Sequence, residues 1–98
     1  MTELSDRVRA HVWVTGRVQG VGFRAHVEFY ARQIGVTGWV RNVGWNTVEA
    51  VAEGEREQVE RFLAMVKEGP RASRVDESRA EWEESTGEFV EFGVKRSL

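Results

Sequence analysis

Residues 16–24 read Gly-Arg-Val-Gln-Gly-Val-Gly-Phe-Arg, and the rest of the chain is organised around this stretch. It places three glycines within seven positions and an arginine near each end. The residues before it alternate between apolar and polar, as in a strand, whereas apolar residues after it recur at helical spacing. The stretch therefore predicts a loop that joins a strand to a helix.

The strand predicted before the loop covers residues 7–15. Val8, Ala10, Val12 and Val14 fall on one face, which is expected to turn towards a core. Arginine, histidine and tryptophan occupy the alternate positions, so the opposite face is expected to be only partly buried.

The helix predicted after the loop covers residues 22–34. Its apolar stripe repeats every three or four residues and consists of Phe23, Val27, Tyr30, Ala31 and Ile34. Gly35 follows, and a glycine there can adopt the left-handed conformation that ends many helices.

Periodicity predicts five further elements: strands at 36–42 and 48–53, a helix at 55–68, and strands at 75–82 and 89–95. The second helix has an apolar stripe made of Val59, Phe62, Leu63 and Val66. In the last strand, Val90, Phe92 and Val94 alternate and are expected to share one face.

A hairpin turn at residues 43–46 is predicted between the second and third strands. Gly44 and Asn46 are the two positions that tolerate a positive φ. Trp45 is unusual in a turn, and we expect its ring to fold back onto the open face of the sheet rather than to bind a ligand.

The order strand, helix, strand, strand, helix, strand, followed by a short last strand, predicts an α+β fold. Two helices would pack on one face of an antiparallel sheet. We expect a single domain at residues 7–98 behind a flexible polar tail at residues 1–6.

The composition narrows the class of protein. The 98 residues carry a net charge of −2 and no cysteine. Because proteins that bind nucleic acid through bulk charge are normally basic, no nucleic-acid partner is expected. The lack of cysteine excludes disulfides, thiolate metal sites and a cysteine nucleophile. No apolar run is long enough to cross a bilayer, so we expect a soluble, cytoplasmic monomer with no membrane partner.

The glycine stretch has the features of an anion-binding loop. Glycine allows backbone conformations that turn several N–H groups towards one point, and it leaves that space free of side chains. The following helix N-terminus adds unpaired N–H groups and a partial positive charge. Arg24 would lie in the first helical turn, where a guanidinium suits bidentate phosphate binding. From the residues alone, a glycine-rich turn beside a solvated arginine is an equal alternative.

Residues 39–42, Trp-Val-Arg-Asn, form a second candidate segment. Asn42 falls at the end of the second strand, where a side chain can point into a cleft. Its amide offers a donor and an acceptor, which is enough to hold and aim a water molecule. Position alone favours the alternative that Asn42 caps the turn.

Three segments resemble the acylphosphatase family: residues 16–24, residues 34–42 (Ile-Gly-Val-Thr-Gly-Trp-Val-Arg-Asn) and residues 48–54 (Val-Glu-Ala-Val-Ala-Glu-Gly). The resemblance extends from residue 7 to the C-terminus. It implies a ferredoxin-like α/β sandwich. It also implies hydrolysis of a small-molecule acyl phosphate to a carboxylate and inorganic phosphate, without a metal or another cofactor.

The resemblance also implies roles for individual residues. Arg24 becomes the phosphate-binding catalytic arginine, and Asn42 becomes the catalytic residue that orients the attacking water. The phosphate-binding loop then consists of Arg17, Val18, Gln19, Gly20, Val21, Gly22 and Arg24. No carboxylate or histidine lies in either motif, so no protein general base is assigned.

Other features near the motifs have plainer interpretations. His26 lies one turn into the helix and could approach the site, but a solvated histidine is favoured. Arg41 is also expected to be solvated, whereas Arg17 would add positive potential or be solvated. The family often has Asp-Gly in the hairpin turn, where this chain has Trp45-Asn46.

Two alternatives to a stand-alone acylphosphatase stay open. One is an acylphosphatase-like domain that acts on carbamoyl phosphate. The other is an anion-binding module without turnover, because sandwiches of this kind often only bind.

Overall fold

The computed structural model describes residues 6–98. It contains two helices and five strands, in the predicted order: β1 (Arg7–Arg17), α1 (Phe23–Ile34), β2 (Thr37–Val43), β3 (Thr47–Glu55), α2 (Arg56–Glu68), β4 (Arg74–Glu84) and β5 (Phe92–Val94). Apart from Asp6, the tail expected at residues 1–6 lies outside the described residues.

The five strands form one sheet with the order β4-β1-β3-β2-β5. The first four strands are antiparallel to their neighbours, and β5 is parallel to β2. The helices pack on this sheet, so the predicted α+β, ferredoxin-like class is confirmed, but with a mixed rather than a wholly antiparallel sheet. The reason is the crossing at residues 85–91: β5 begins at the end of the sheet where β4 stops, and therefore runs in the direction of β2.

The predicted apolar stripes supply the core. Ala10, Val12 and Val14 of β1 are fully buried, as are Val27 and Ala31 of α1. The stripe of α2 is buried throughout and consists of Val59, Phe62, Leu63 and Val66. Burial of these faces is the main favourable contribution to folding.

The last strand is much shorter than predicted. Only Phe92–Val94 pairs with β2, and Phe92 is buried with its ring centroid 5.6 Å from that of Phe62. Val90 is 94% exposed, so the expected shared inward face of Val90, Phe92 and Val94 is wrong. After the strand, the backbone stays close to β2, because the N–H of Leu98 donates to the carbonyl of Asn42 over 2.9 Å.

The β2–β3 turn uses one of the two positions that tolerate a positive φ, and it corrects the prediction for Trp45. Gly44 has a φ of 62°, but Asn46 does not adopt a positive φ. Trp45 does not fold back on the sheet, because 83% of its surface is exposed. A single left-handed residue is therefore sufficient for this hairpin, and the turn presents an indole to solvent.

The sheet face away from the helices carries a buried carboxylate, Glu53, which is 1% exposed. Its oxygens accept hydrogen bonds from the backbone N–H groups of Thr86 and Gly87, both 2.9 Å away, and from the guanidinium of Arg9 at 2.8 Å. Burial by itself raises the pKa of Glu53, but these donors outweigh it and lower the pKa to about 2. The charged carboxylate therefore fastens the 85–91 crossing to β1 and β3.

Within residues 6–98, neither α1 nor α2 has the length and apolar character that crossing a membrane requires.

Acid should remove the contribution of Glu53 to stability. Because the pKa is lowered from its ordinary 4.5 to about 2 in the folded protein, the contribution is fully present above pH 4.5 and is lost as the pH falls towards 2. The loss should reach about 3 kcal/mol. Urea unfolding at several pH values should show the gap between wild type and Glu53→Gln narrowing below pH 4.5. Glu60→Gln, on the exposed side of α2, is the control, and a gap that is constant with pH would contradict the assignment.

Candidate active site

The three glycines of residues 16–22 differ in their structural roles, and Gly16 lies within β1. Gly16 has a φ of 138°, and a Cβ there would lie 2.3 Å from the carbonyl oxygen of Arg74 in β4. The register of β1 with β4 shifts between Thr15 and Gly16. Gly16 therefore allows the close approach of two strands and belongs to the sheet rather than to an anion cradle.

Gly20 and Gly22 shape the exposed part of the loop. Their φ values are 74° and 77°, a region that L side chains rarely adopt, and a Cβ at either would meet nothing within 4 Å. The helix begins directly after them at Phe23, and no side chain caps it at Gly22. The N–H groups of its first turn thus face open space, which is the arrangement that binds anions at helix N-termini.

Arg24 and Asn42 line the same cavity, which has a volume of about 360 Å³. Gly20 and Gly22 also border it, so the helix N-terminus opens into the same space. The two residues that the sequence analysis selected from separate segments are therefore brought together.

Asn42 carries the most unusual polar atom of this cavity. Its side-chain oxygen Oδ1 is buried, and among residues 6–98 no group donates a hydrogen bond to it. A buried acceptor without a donor is costly and is uncommon in folded proteins. The side chain shares the helix-covered face of β2 with the buried Val40. With Oδ1 unbonded, the alternative that Asn42 serves as a turn cap is not supported by the geometry.

Gln19 has a structural task that the sequence did not reveal. Its amide Nε2 lies within hydrogen-bond distance of the carbonyls of Val43 (3.3 Å), Gly44 (3.1 Å) and Thr47 (3.0 Å). The side chain therefore ties the glycine loop to the β2–β3 hairpin, and only the backbone of Gln19 is left for an anion.

Arg17 does not reach the cavity of Arg24 and Asn42. It lines a second cavity, of about 790 Å³, on the hairpin side of the loop. Val18 borders both cavities although its side chain is fully buried, and Val21 packs against the core. Of the seven residues predicted to bind phosphate, those that line the Arg24 cavity are Val18, Gly20, Gly22 and Arg24.

Two other candidates lie elsewhere. His26 faces a separate cavity beside Tyr30, and burial lowers its pKa. Arg41 is not simply solvated as expected, because its Nε donates to Glu49 over 2.7 Å and its guanidinium lies over the ring of Trp39.

The sequence analysis missed one charged residue at the cavity, Glu28. It lies four residues after Arg24, a spacing that puts both side chains on one face of α1. Its Oε2 pairs with Arg32 over 3.1 Å. The helical spacing was the signal that could have found it. Residues 6–98 contain no group of three or more His, Asp or Glu side chains arranged to hold a metal ion.

Fold and cavity together define a ferredoxin-like sandwich with a cavity at a strand–loop–helix junction, lined by Arg24, Asn42 and the N-terminus of α1. A family model described as Acylphosphatase matches residues 10–94. An acylphosphatase of Roseiflexus sp. is 47% identical over 91 residues, which cover 93% of this chain and 98% of that protein. The chain therefore belongs to the acylphosphatase family.

Solved structures agree with this assignment. The acylphosphatase from Bacillus subtilis has a TM-score of 0.85 and 33% identity, and the match covers 90% of this chain and 98% of that one. HypF from T. kodakarensis has a TM-score of 0.77 and 31% identity, but the match covers 90% of this chain and only 12% of HypF.

Replacing Gln19 with glutamate should loosen the link between loop and hairpin. The substitution keeps the size of the side chain but turns donors into acceptors that face three carbonyls. Because Gln19 is only half-buried, we expect the free energy of unfolding to fall by about 1 kcal/mol, at the lower end of the cost of leaving hydrogen-bonding groups without partners. Urea denaturation measures this, with Gln33→Glu on the exposed side of α1 as the control. Equal stability of the two variants would show that the link contributes nothing.

Proposed function

We propose that this chain is an acylphosphatase that hydrolyses the carboxyl–phosphate anhydride of small acyl phosphates. The products are a carboxylate and inorganic phosphate. The observation that carries the proposal is that Asn42, whose Oδ1 is buried without a hydrogen-bond donor, lines the same cavity as Arg24 and the N-terminus of α1. An acceptor of this kind, beside a cation and free N–H groups, suits a water molecule held next to a bound phosphoryl group.

In this proposal the phosphoryl group occupies the cavity of about 360 Å³. The N–H groups of the loop and of the first helical turn donate to its oxygens, and the guanidinium of Arg24 supplies a full positive charge. Both kinds of donor also stabilise the charge that develops as the anhydride bond breaks. The positive-φ glycines matter because a side chain at either position would enter this space.

Asn42 then holds the nucleophile. A water donates one hydrogen bond to Oδ1 and points a lone pair at phosphorus, opposite the acyl oxygen. As the new P–O bond forms, the bond to the acyl oxygen breaks, and the carboxylate leaves with the electron pair. The proton of the water passes to a phosphoryl oxygen, so the step needs no separate base. Glu28 is held by Arg32 at the wall of the cavity and is not given a role in proton transfer.

Carbamoyl phosphate is a second candidate substrate, because it is likewise a mixed anhydride of phosphate. Measuring its hydrolysis beside that of acetyl phosphate separates the two substrates.

We also infer a monomer in the cytoplasm. Its support is compositional: an ordinary charged fraction of 31% and the absence of cysteine.

Replacing Arg24 with alanine should lower kcat/KM for acetyl phosphate by about 10²–10³-fold, the usual effect of removing one donor to a developing anion. Binding of inorganic phosphate, measured as competitive inhibition, should weaken as well. Arg61→Ala on the exposed side of α2 is the control for loss of positive charge. Near-normal hydrolysis by Arg24→Ala, with the fold intact by circular dichroism, would show that Arg24 is not the catalytic arginine.

Replacing Asn42 with alanine should act differently from the change at Arg24. We expect kcat to fall about 10²-fold, because the water loses its orientation. The inhibition constant for phosphate should change little, because Asn42 is not proposed to bind the phosphoryl group. Asn42→Asp keeps the acceptor and the size of the side chain but adds a negative charge, which should weaken phosphate binding. If Asn42→Ala abolished phosphate binding and left kcat unchanged, its role would be binding instead.

A further inference from the structure

The cavity on the hairpin side of the loop, called the hairpin cavity below, is larger than the one proposed to bind phosphate. Its volume is about 790 Å³, and it is lined by the loop, by β4 and by the hairpin residues Trp45 and Asn46. Val18 borders both cavities, so the two are adjacent at this residue. A ligand anchored in one cavity is therefore close to the other.

Trp45 is the unusual member of the hairpin cavity. Three of the four tryptophans have a cationic side chain over the ring: Arg79 over Trp13, Arg41 and Lys95 over Trp39, and Arg56 over Trp82. Among residues 6–98 no such cation lies over Trp45, which is also the most exposed of the aromatic side chains at 83%. The indole therefore has an open face beside the cavity, and another aromatic ring could stack on it.

Hydrogen bonds to neighbouring segments fix the backbone of the turn that carries Trp45. The N–H of Gly16 donates to the carbonyl of Asn46 over 3.0 Å, and the N–H of Gly44 donates to that of Leu98 over 3.1 Å. The Gln19 amide donates to carbonyls of Val43, Gly44 and Thr47 on either side of Trp45. The position of Trp45 is therefore set by the same loop that is proposed to hold the phosphoryl group.

We propose that Trp45 is a specificity-determining residue, and that it receives an aromatic acyl group by ring stacking while the phosphoryl group lies in the cavity of Arg24 and Asn42. This inference rests on the proposed function and names the substrate class of the same site. The ring of an aromatic acyl group is planar, so one of its faces can stack on the indole of Trp45. Arg17 lines the hairpin cavity as well, and a guanidinium favours the electron-rich face of such a ring.

The test compares benzoyl phosphate with acetyl phosphate. Trp45→Ala should lower kcat/KM for benzoyl phosphate about threefold to tenfold, the range for a single aromatic contact. The change should appear in KM rather than in kcat, because stacking is equal in the ground and transition states. Acetyl phosphate, which has no ring, should be turned over as in wild type, and Trp45→Phe should restore most of the benzoyl preference.

Trp82→Ala is the matched control, because Trp82 is also partly exposed but lies on β4 with Arg56 over its ring. It should leave both substrates unaffected. Equal losses on both substrates for Trp45→Ala, or no loss on either, would overturn the inference.

Non-hydrolysable phosphonates separate this inference from the proposed function. Wild type should bind benzoylphosphonate more tightly than acetylphosphonate, and Trp45→Ala should remove that difference. If wild type hydrolysed neither benzoyl phosphate nor acetyl phosphate, the proposed function would be wrong. The difference in affinity between the two phosphonates would still test the role of Trp45, because it does not depend on turnover. Equal affinity of wild type for the two phosphonates would overturn the subsite.

Discussion

The side-chain amide of Gln19 is the contact on which the site depends. It donates from the β1–α1 loop to carbonyls of the β2–β3 hairpin, two parts of the chain that come from different halves of the fold. Because Asn42 lies directly before that hairpin, the amide fixes its distance from the loop. Besides this tie, the hydrogen bond from the N–H of Gly16 to the carbonyl of Asn46 joins the same two parts of the chain.

The site itself is lined by backbone and side-chain groups that the fold leaves without hydrogen-bond partners. α1 starts without a side-chain cap after a left-handed glycine, so its first N–H groups lack internal partners. Across the cavity, Oδ1 of Asn42 is a buried acceptor without a donor. Donors on one wall and an acceptor on another are the groups that a phosphate and an attacking water need. The cost of leaving them unpaired in the free protein is of the kind that functional sites maintain.

Local periodicity was enough to predict both helices and the order of the elements along the chain, whereas the expectation that Arg24 and Asn42 share one site came from the resemblance to the acylphosphatase family. Side-chain contacts between distant segments were not predictable, because no local pattern specifies the partner of Gln19 or the close approach of β4 to Gly16. Alternation also misled at Val90, where the crossing from β4 leaves only three residues to pair with β2. The exposure of the Trp45 ring was not predicted, because apolar character favours burial. Hydrogen bonds to the backbone of this turn fix it without burying the side chain.

The central claim is that Arg24 and Asn42 face the same anion. A crystal structure of the protein with acetylphosphonate tests it most directly. The account predicts phosphoryl oxygens about 2.7–3.2 Å from loop N–H groups and from the guanidinium of Arg24, with an ordered water bound to Oδ1 of Asn42 on the far side of phosphorus. A phosphonate bound instead by Arg17 and Arg74 in the hairpin cavity, with Oδ1 of Asn42 still unbonded, would contradict it.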